Sequence, residues 1–229
     1  AIRRNLPLDT LFLINPTLNP NQLQIGQTIQ VPLRITWRLV NGKQNYSYEV
    51  MINDIQRLQL VYPFLQISSI GNSVLNKSIP EVLIGIGDKR VAYNGSFHAN
   101  EWITTPTIMT FLNDYALSLT NQTTIRGLIT SPLYEQTSLS IVPMVNPDGV
   151  NLVLNGPPEL EPYRSNVIQW NNNSLDFSGW KANINGVDLN DQFPAEWEKE
   201  RDRNPKTPGP RDYGGESPLS QPEAIAMAD

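Results

Sequence analysis

Residues 90–119 read RVAYNGSFHANEWITTPTIMTFLNDYALSL, and the fold is decided there. Arg90-Val-Ala-Tyr-Asn94 reads as a strand, and the pattern from about Trp102 to Leu119 reads as a long helix. Between them a short turn carries His98 and Glu101. A turn held between two rigid elements can aim an imidazole and a carboxylate at one point in space. On its own this pair reads more readily as a hydrogen-bonded loop histidine beside an ordinary glutamate.

Outward from this stretch the same alternation continues. Tyr48, Met51, Ile55 and Leu58 fall at helical spacing, while Leu65–Ile70, Glu81–Ile86 and Leu139–Pro143 read as strands. Strands alternating with helices predict an α/β domain, with a mixed, largely parallel sheet flanked by helices on both faces. Ligand sites in such sheets favour the carboxyl ends of the strands, where His98 and Glu101 fall. Near the end, Ser220-Gln-Pro-Glu223 has the form of a capping box that opens a helix. Only about two turns follow it, fewer than a helix needs to persist without partners, so the sequence is expected to be part of a longer chain.

Residues 1–34 form a unit of their own. Leu6, Leu8, Leu11, Phe12 and Ile14 fall near helical spacing, Asn15-Pro16 ends that run, and Thr28–Val31 alternates as a short strand before Pro32. The expected product is a small helix-turn-strand lobe with few contacts to the rest, joined by a linker over 35–45 to a main domain over 46–229.

Composition narrows the chemistry. With 39% hydrophobic and 17% charged residues the chain is an ordinary globular sequence. Its net charge of -5 and the lack of a basic block exclude the footprint of a nucleic-acid binder. No apolar run approaches the roughly 18 residues of a membrane span, and the first residues lack the parts of a signal peptide. There are no cysteines and one histidine, so His98, Asp and Glu are the strong ligands left for a transition metal. The 19 prolines gather at Pro157-Pro158 and between Pro205 and Pro222, where long loops are expected.

Four segments, taken in order, carry a resemblance. Phe97-His-Ala-Asn-Glu-Trp102, Val145-Asn-Pro-Asp-Gly149, Gly186-Val-Asp-Leu-Asn190 and the loop from Gly214 to Glu223 resemble the zinc metallocarboxypeptidase family in order and spacing. The resemblance implies that His98 and Glu101 are ligands of a Zn²⁺ ion. It also implies a third ligand, a histidine on a later strand, and a still later glutamate as general base. Neither has a match in these 229 residues. Lys181 stands where the family places an arginine that polarises the scissile carbonyl. Asn190-Asp191 stands where exopeptidases of the family carry Asn-Arg to clamp a terminal carboxylate, and Asn100 replaces an arginine between the two early ligands. A pocket that has exchanged cationic groups for Asn and Asp suits a substrate presenting an amine. Asp148 is a candidate to orient the second ring nitrogen of His98.

The N-terminal wording, Asp9 to Pro20 and Leu23-Gln-Ile-Gly26-Gln-Thr-Ile-Gln-Val31-Pro32, resembles the second half of a LysM repeat, a module that binds N-acetylglucosamine-containing chains. Paired with the peptidase segments, it resembles the γ-D-glutamyl-meso-diaminopimelate peptidases of spore-forming bacteria. That resemblance implies a zinc enzyme whose partners are the peptidoglycan glycan and stem peptide, with Asn100, Asn190 and Asp191 on the substrate and Lys181 near the oxyanion. A secreted, cell-wall or spore-associated location follows from it. A catalytically degenerate wall-binding protein and an amidohydrolase on the same scaffold are the rival readings. Oligomeric state is not legible.

Overall fold

The structure, a computed structural model, describes residues 4–229. Its helices are α1 (Leu8–Leu13), α2 (Tyr48–Val61), α3 (Thr104–Asn121), α4 (Ser131–Gln136), α5 (Pro147–Asn155), α6 (Tyr163–Trp170), α7 (Trp197–Arg203) and α8 (Pro222–Ala228). Its strands are β1 (Gln66–Asn72), β2 (Ser78–Ile84), β3 (Lys89–Asn94), β4 (Thr124–Ile125), β5 (Leu128–Ile129) and β6 (Thr137–Val142). Strands β4 and β5 form a separate hairpin; the other four make one sheet in the order β1-β2-β6-β3.

The mixed α/β class read from the sequence is the one observed. Within the sheet, β1 and β6 both pair antiparallel with β2, and β3 pairs parallel with β6. The largely parallel character expected is therefore met only at the β3–β6 pair. The reason is the connection between β1 and β2: a chain reversal of five residues is too short for the crossover a parallel pair needs. Strand β2 tolerates Pro80 because its ladder with β6 spans only Val82–Ile84, and a bulge interrupts the β1 ladder beside Pro80.

Alternation decides which residues face which layer. Val82, Ile84, Leu139 and Ile141 point to one face, where Met51, Ile55 and Leu58 of α2 and Met109, Leu112, Ala116 and Leu119 of α3 close the main core. The i, i+3, i+4 spacing on α3 buries one stripe of that helix, with each fully buried aliphatic side chain contributing about 1.5–3 kcal/mol. On the opposite face, Ile79 and Val142 pack with Leu189 and with Ala224 and Ala226 of α8. Gly71 permits that approach: a Cβ there would stand 2.7 Å from the Ala226 Cβ.

The N-terminal segment does not stand apart as expected. Ile14 belongs to the main core with Leu13 packed against it, Thr10 donates to the Leu119 carbonyl at 3.3 Å, and the Leu33 amide donates to the Val61 carbonyl at 2.9 Å. Thr28–Val31 runs without strand pairing, because no neighbouring segment offers it a ladder; Asn15 instead bonds to both backbone groups of Gln30. Residues 1–3 of that unit lie outside the described residues.

The capping box at Ser220 does not form either. Gln221 is the N-cap of α8, with Pro222 in its first turn, and no side chain caps the helix. The Gln192 carboxamide oxygen has taken the amides of Ser220 and Gln221, and Glu223 turns inward. Among the described residues no helix is long and apolar enough to cross a membrane.

Candidate active site

Strands β3 and β6 run side by side and parallel, and their association continues past their ends. The Gly95 amide donates to the Val142 carbonyl, the Val145 amide to the Gly95 carbonyl, and the Asn146 amide to the Ser96 carbonyl, each at 3.0 Å. Gly95 is needed for this closeness, since a Cβ would stand 2.7 Å from the Pro143 carbonyl oxygen. Ser96 then adopts φ 49°, a left-handed conformation that a non-glycine residue takes only when its surroundings hold it. They do: its amide donates to Thr104 Oγ1 at 2.7 Å, and its hydroxyl lies 2.6 Å from that of Thr105, which in turn donates to the Pro143 carbonyl. The chain is thereby turned so that His98 leaves the carboxyl end of the sheet.

A 3₁₀ turn, Ala99–Glu101, follows and brings Glu101 back beside His98. His98 Nδ1 lies 3.1 Å from Glu101 Oε1. Two ligands about 2.0–2.2 Å from one tetrahedral zinc stand roughly 3.3–3.6 Å apart, so this pair needs only a small opening to share an ion. The sequence expectation that both reach one point at the end of the sheet is matched by this geometry.

The second ring nitrogen faces Asp188 and not Asp148. His98 Nε2 is 3.2 Å from Asp188 Oδ1, close enough for an ion pair but out of line for a hydrogen bond, so Nε2 has no aligned partner. Asp148 is occupied elsewhere, accepting from the Leu75 amide at 2.8 Å and facing Lys77 at 3.6 Å. Asp188 lies behind the imidazole and thus supports it, leaving Nδ1 and Glu101 to face outward. Among the described residues no three His, Cys, Asp or Glu side chains gather in metal-holding geometry.

Asp188 is the electrostatic hub. Burial opposes its charge, but His98, the Asp212 amide and Lys181 outweigh burial and hold the carboxyl at about 2. Reciprocally, contact with Asp188 raises the His98 pKa, with burial opposing and Glu101 assisting. Lys181 Nζ sits 3.5 Å from Asp188 Oδ2 and 3.8 Å from Asp212 Oδ1, while the Lys181 carbonyl accepts from the Ala99 amide at 3.0 Å. The Asn146 side chain ties the two segments together, donating to the Ala182 carbonyl at 3.0 Å and to that of Phe97 at 3.5 Å. His98, Glu101 and Lys181 are thus brought together, the last through Asp188.

Asn190 and Asp191 stand on the 3₁₀ turn Leu189–Gln192, which Asp188 caps. Asn190 is exposed and Asp191 half-buried. Asp191 accepts from Asn204 at 3.0 Å; its burial, then the negative charge of Asp188, raises its pKa. Asn100 lies between His98 and Glu101 with a buried Oδ1 that meets no donor. Asp188, Asp212 and Asn146 are not among the site residues expected from the sequence. Asp188 and Asn146 each sit inside a segment that carries the resemblance, Gly186–Asn190 and Val145–Gly149, whereas Asp212 has no such signal. A cleft of about 750 Å³ between α1 and the far end of α3 contains none of these residues, so side-chain chemistry and not cleft size picks the site.

An imidazole and a carboxylate delivered from one turn at the carboxyl edge of an α/β sheet are two of the donors that a catalytic metal site requires. Residues 51–229 match the zinc carboxypeptidase family, and the chain belongs to it; its class is that of a metallopeptidase. Gamma-D-glutamyl-L-diamino acid endopeptidase 1 of Lysinibacillus sphaericus is 71% identical over 98% of this chain and 69% of its own length. The uncharacterized protein YqgT of Bacillus subtilis is 41% identical over 96% of this chain, which spans 56% of that relative. Among solved structures, thrombin activatable fibrinolysis inhibitor shares the fold at 19% identity and a TM-score of 0.60, over 82% of this chain and 44% of that one.

Proposed function

We propose that this protein is a zinc peptidase that hydrolyses the γ-D-glutamyl bond to diaminopimelate in bacterial cell-wall peptides. The observation that carries the proposal is the His98 Nδ1–Glu101 Oε1 pair at 3.1 Å, with Asp188 braced behind the ring. A neutral imidazole nitrogen and a carboxylate oxygen are ordinary zinc donors, and a carboxylate behind the ring is how such histidines are oriented. His98 and Glu101 would hold the ion, which supplies Lewis acidity toward the attacking water and the scissile carbonyl.

The remaining roles belong to this chain's own groups. Lys181, tethered by Asp188 and Asp212, offers a point charge to the carbonyl oxygen as it gains charge. Three carboxylates, Asp188, Asp191 and Asp212, face Lys181 and the Arg211 guanidinium beside Asp212, so the local charge still favours a substrate that brings an ammonium group. The side-chain amine of diaminopimelate is such a group, and Asp191 is assigned to it, together with its chain neighbour Asn190 and with Asn100 from the His98–Glu101 turn. The name of the 71% identical relative, an endopeptidase for γ-D-glutamyl-L-diamino acids, supports this choice over a C-terminal exopeptidase.

The same reading takes residues 1–34 as part of a LysM module for the glycan, 35–45 as a linker and 46–229 as the catalytic domain, at the cell wall or spore. Its support is the wording of the Asn15-Pro16 and Ile25–Pro32 stretches. The test is incubation of the protein with L-Ala-γ-D-Glu-meso-diaminopimelate and mass spectrometry of the products. Free diaminopimelate, lost with a chelator and restored by zinc, is expected; an intact peptide in zinc, or cleavage indifferent to chelation, contradicts the proposal.

A further inference from the structure

Glu223 is fully buried, and it does not form the capping box expected at the start of its helix. Its Oε1 accepts from the Val74 amide at 3.1 Å and its Oε2 from Asn183 Nδ2 at 3.2 Å. Burial first, and then the nearby charge of Asp148, push this carboxyl up to about 7. Lys77, paired with Asp148, is the cation on that side. A carboxyl in such a place costs stability that an apolar side chain of the same size would not, so its bonds call for an explanation.

The bond to Asn183 supplies one. Asn183 is also fully buried and forms the knot of a tight turn. Its Oδ1 accepts from the amides of Asn185 and Val187, at 3.0 and 3.1 Å, and its own amide donates to the Val187 carbonyl at 2.9 Å. Both protons of its carboxamide nitrogen are directed at acceptors, Glu223 Oε2 and Gln221 Oε1, the latter at 2.9 Å. Those two acceptors determine which way the carboxamide faces. Flipped, its NH₂ would meet two backbone N–H donors and the turn would lose its centre. Gly186 completes the turn at φ 70°, where a Cβ would stand 2.8 Å from the Gly209 nitrogen. The next residue after this turn is Asp188.

We propose that Glu223 is a positioning residue for the active site: by fixing the carboxamide of Asn183 it sets the Asn183–Val187 turn, and so the place of Asp188 against His98 and Lys181. Glu223 touches no reacting group and acts through two intermediaries. The inference leans on the zinc reading for one arm of its test only.

His98 is the single histidine of the chain, so the ring ¹⁵N chemical shifts of one imidazole can be followed without ambiguity. The variant Glu223→Gln keeps the shape but cannot accept at both oxygens, and Asn183→Ser breaks the same link from the other side should the first not fold. In metal-free protein at fixed pH, each variant is expected to move the His98 ring shifts in the direction that Asp188→Asn moves them. Zinc affinity, measured by competition with a chromophoric chelator, is expected to fall about ten-fold, as for other groups behind a metal ligand. Folded variants with wild-type ring shifts would overturn the proposal, whatever their melting temperatures. If the wild-type chain competes for no zinc, the metal reading fails, and the ring shifts alone decide the role of Glu223.

Discussion

Replacing Asp188 with asparagine removes the charge on which both His98 and Lys181 rest. The carboxyl sits at about 2 in the folded chain against an ordinary 3.8. At about 1.4 kcal/mol per pH unit, that difference makes ionised Asp188 worth about 2 kcal/mol of stability. The sign is that of a depressed acid: the contribution is complete above pH 3.8 and is lost as the pH falls through 2. The carboxamide introduced by Asp188→Asn would also present an NH₂ to one of the two N–H partners, those of Asn190 and Asp212, that now meet acceptors. Urea unfolding of metal-free Asp188→Asn should therefore show a loss of about 2–4 kcal/mol at pH 7. The electrostatic part of that loss should shrink to about 1 kcal/mol near pH 2.5. Zinc affinity should fall about 10–100-fold in the same variant. A loss of the same size at both pH values, or none at pH 7, would refute the assignment of Asp188 as the charged support of the ring.

Two further outcomes follow from the same electrostatics. Glu223 has the opposite sign, because its folded pKa of about 7 lies above the ordinary 4.5: the stability it permits is complete below pH 4.5 and declines by about 3 kcal/mol as the pH rises through 7. Unfolding free energies at pH 5 and pH 8 should thus differ less in Glu223→Gln than in wild type, and equal differences would show that the carboxyl titrates normally. Asp191→Arg should cut kcat/KM on diaminopimelate peptides by about 30-fold, the equivalent of about 2 kcal/mol for a charge pair turned repulsive; unchanged kcat/KM would show that Asp191 serves only its bond to Asn204.

The His98–Glu101 pair was legible in the sequence because its geometry is local: a strand, a three-residue turn and a helix place His98 beside Glu101 with no help from distant segments. The alternating strands gave the layers for the same reason. What the sequence concealed are contacts between segments far apart. Asp188 meets His98 across 90 residues, and nothing in the wording of either segment ranks it above Asp148, which lies as close to a glycine and as deep in the core. Ser220 and Glu223 satisfy the capping pattern, yet Gln192 and Asn183 compete for their partners and win once the loops pack. Thr28–Val31 has strand alternation, but a strand requires a neighbour, and pairing partners are not written in a single segment.

Every catalytic role proposed for the site depends on a zinc ion held by His98 and Glu101. This is tested most directly by measuring bound zinc, by plasma mass spectrometry after dialysis, in wild-type protein, His98→Ala and Glu101→Ala, with folding checked by circular dichroism. About one zinc per wild-type molecule and a large loss in both folded variants are expected. Zinc retained at the wild-type level in either variant would contradict the assignment of His98 and Glu101 as its ligands.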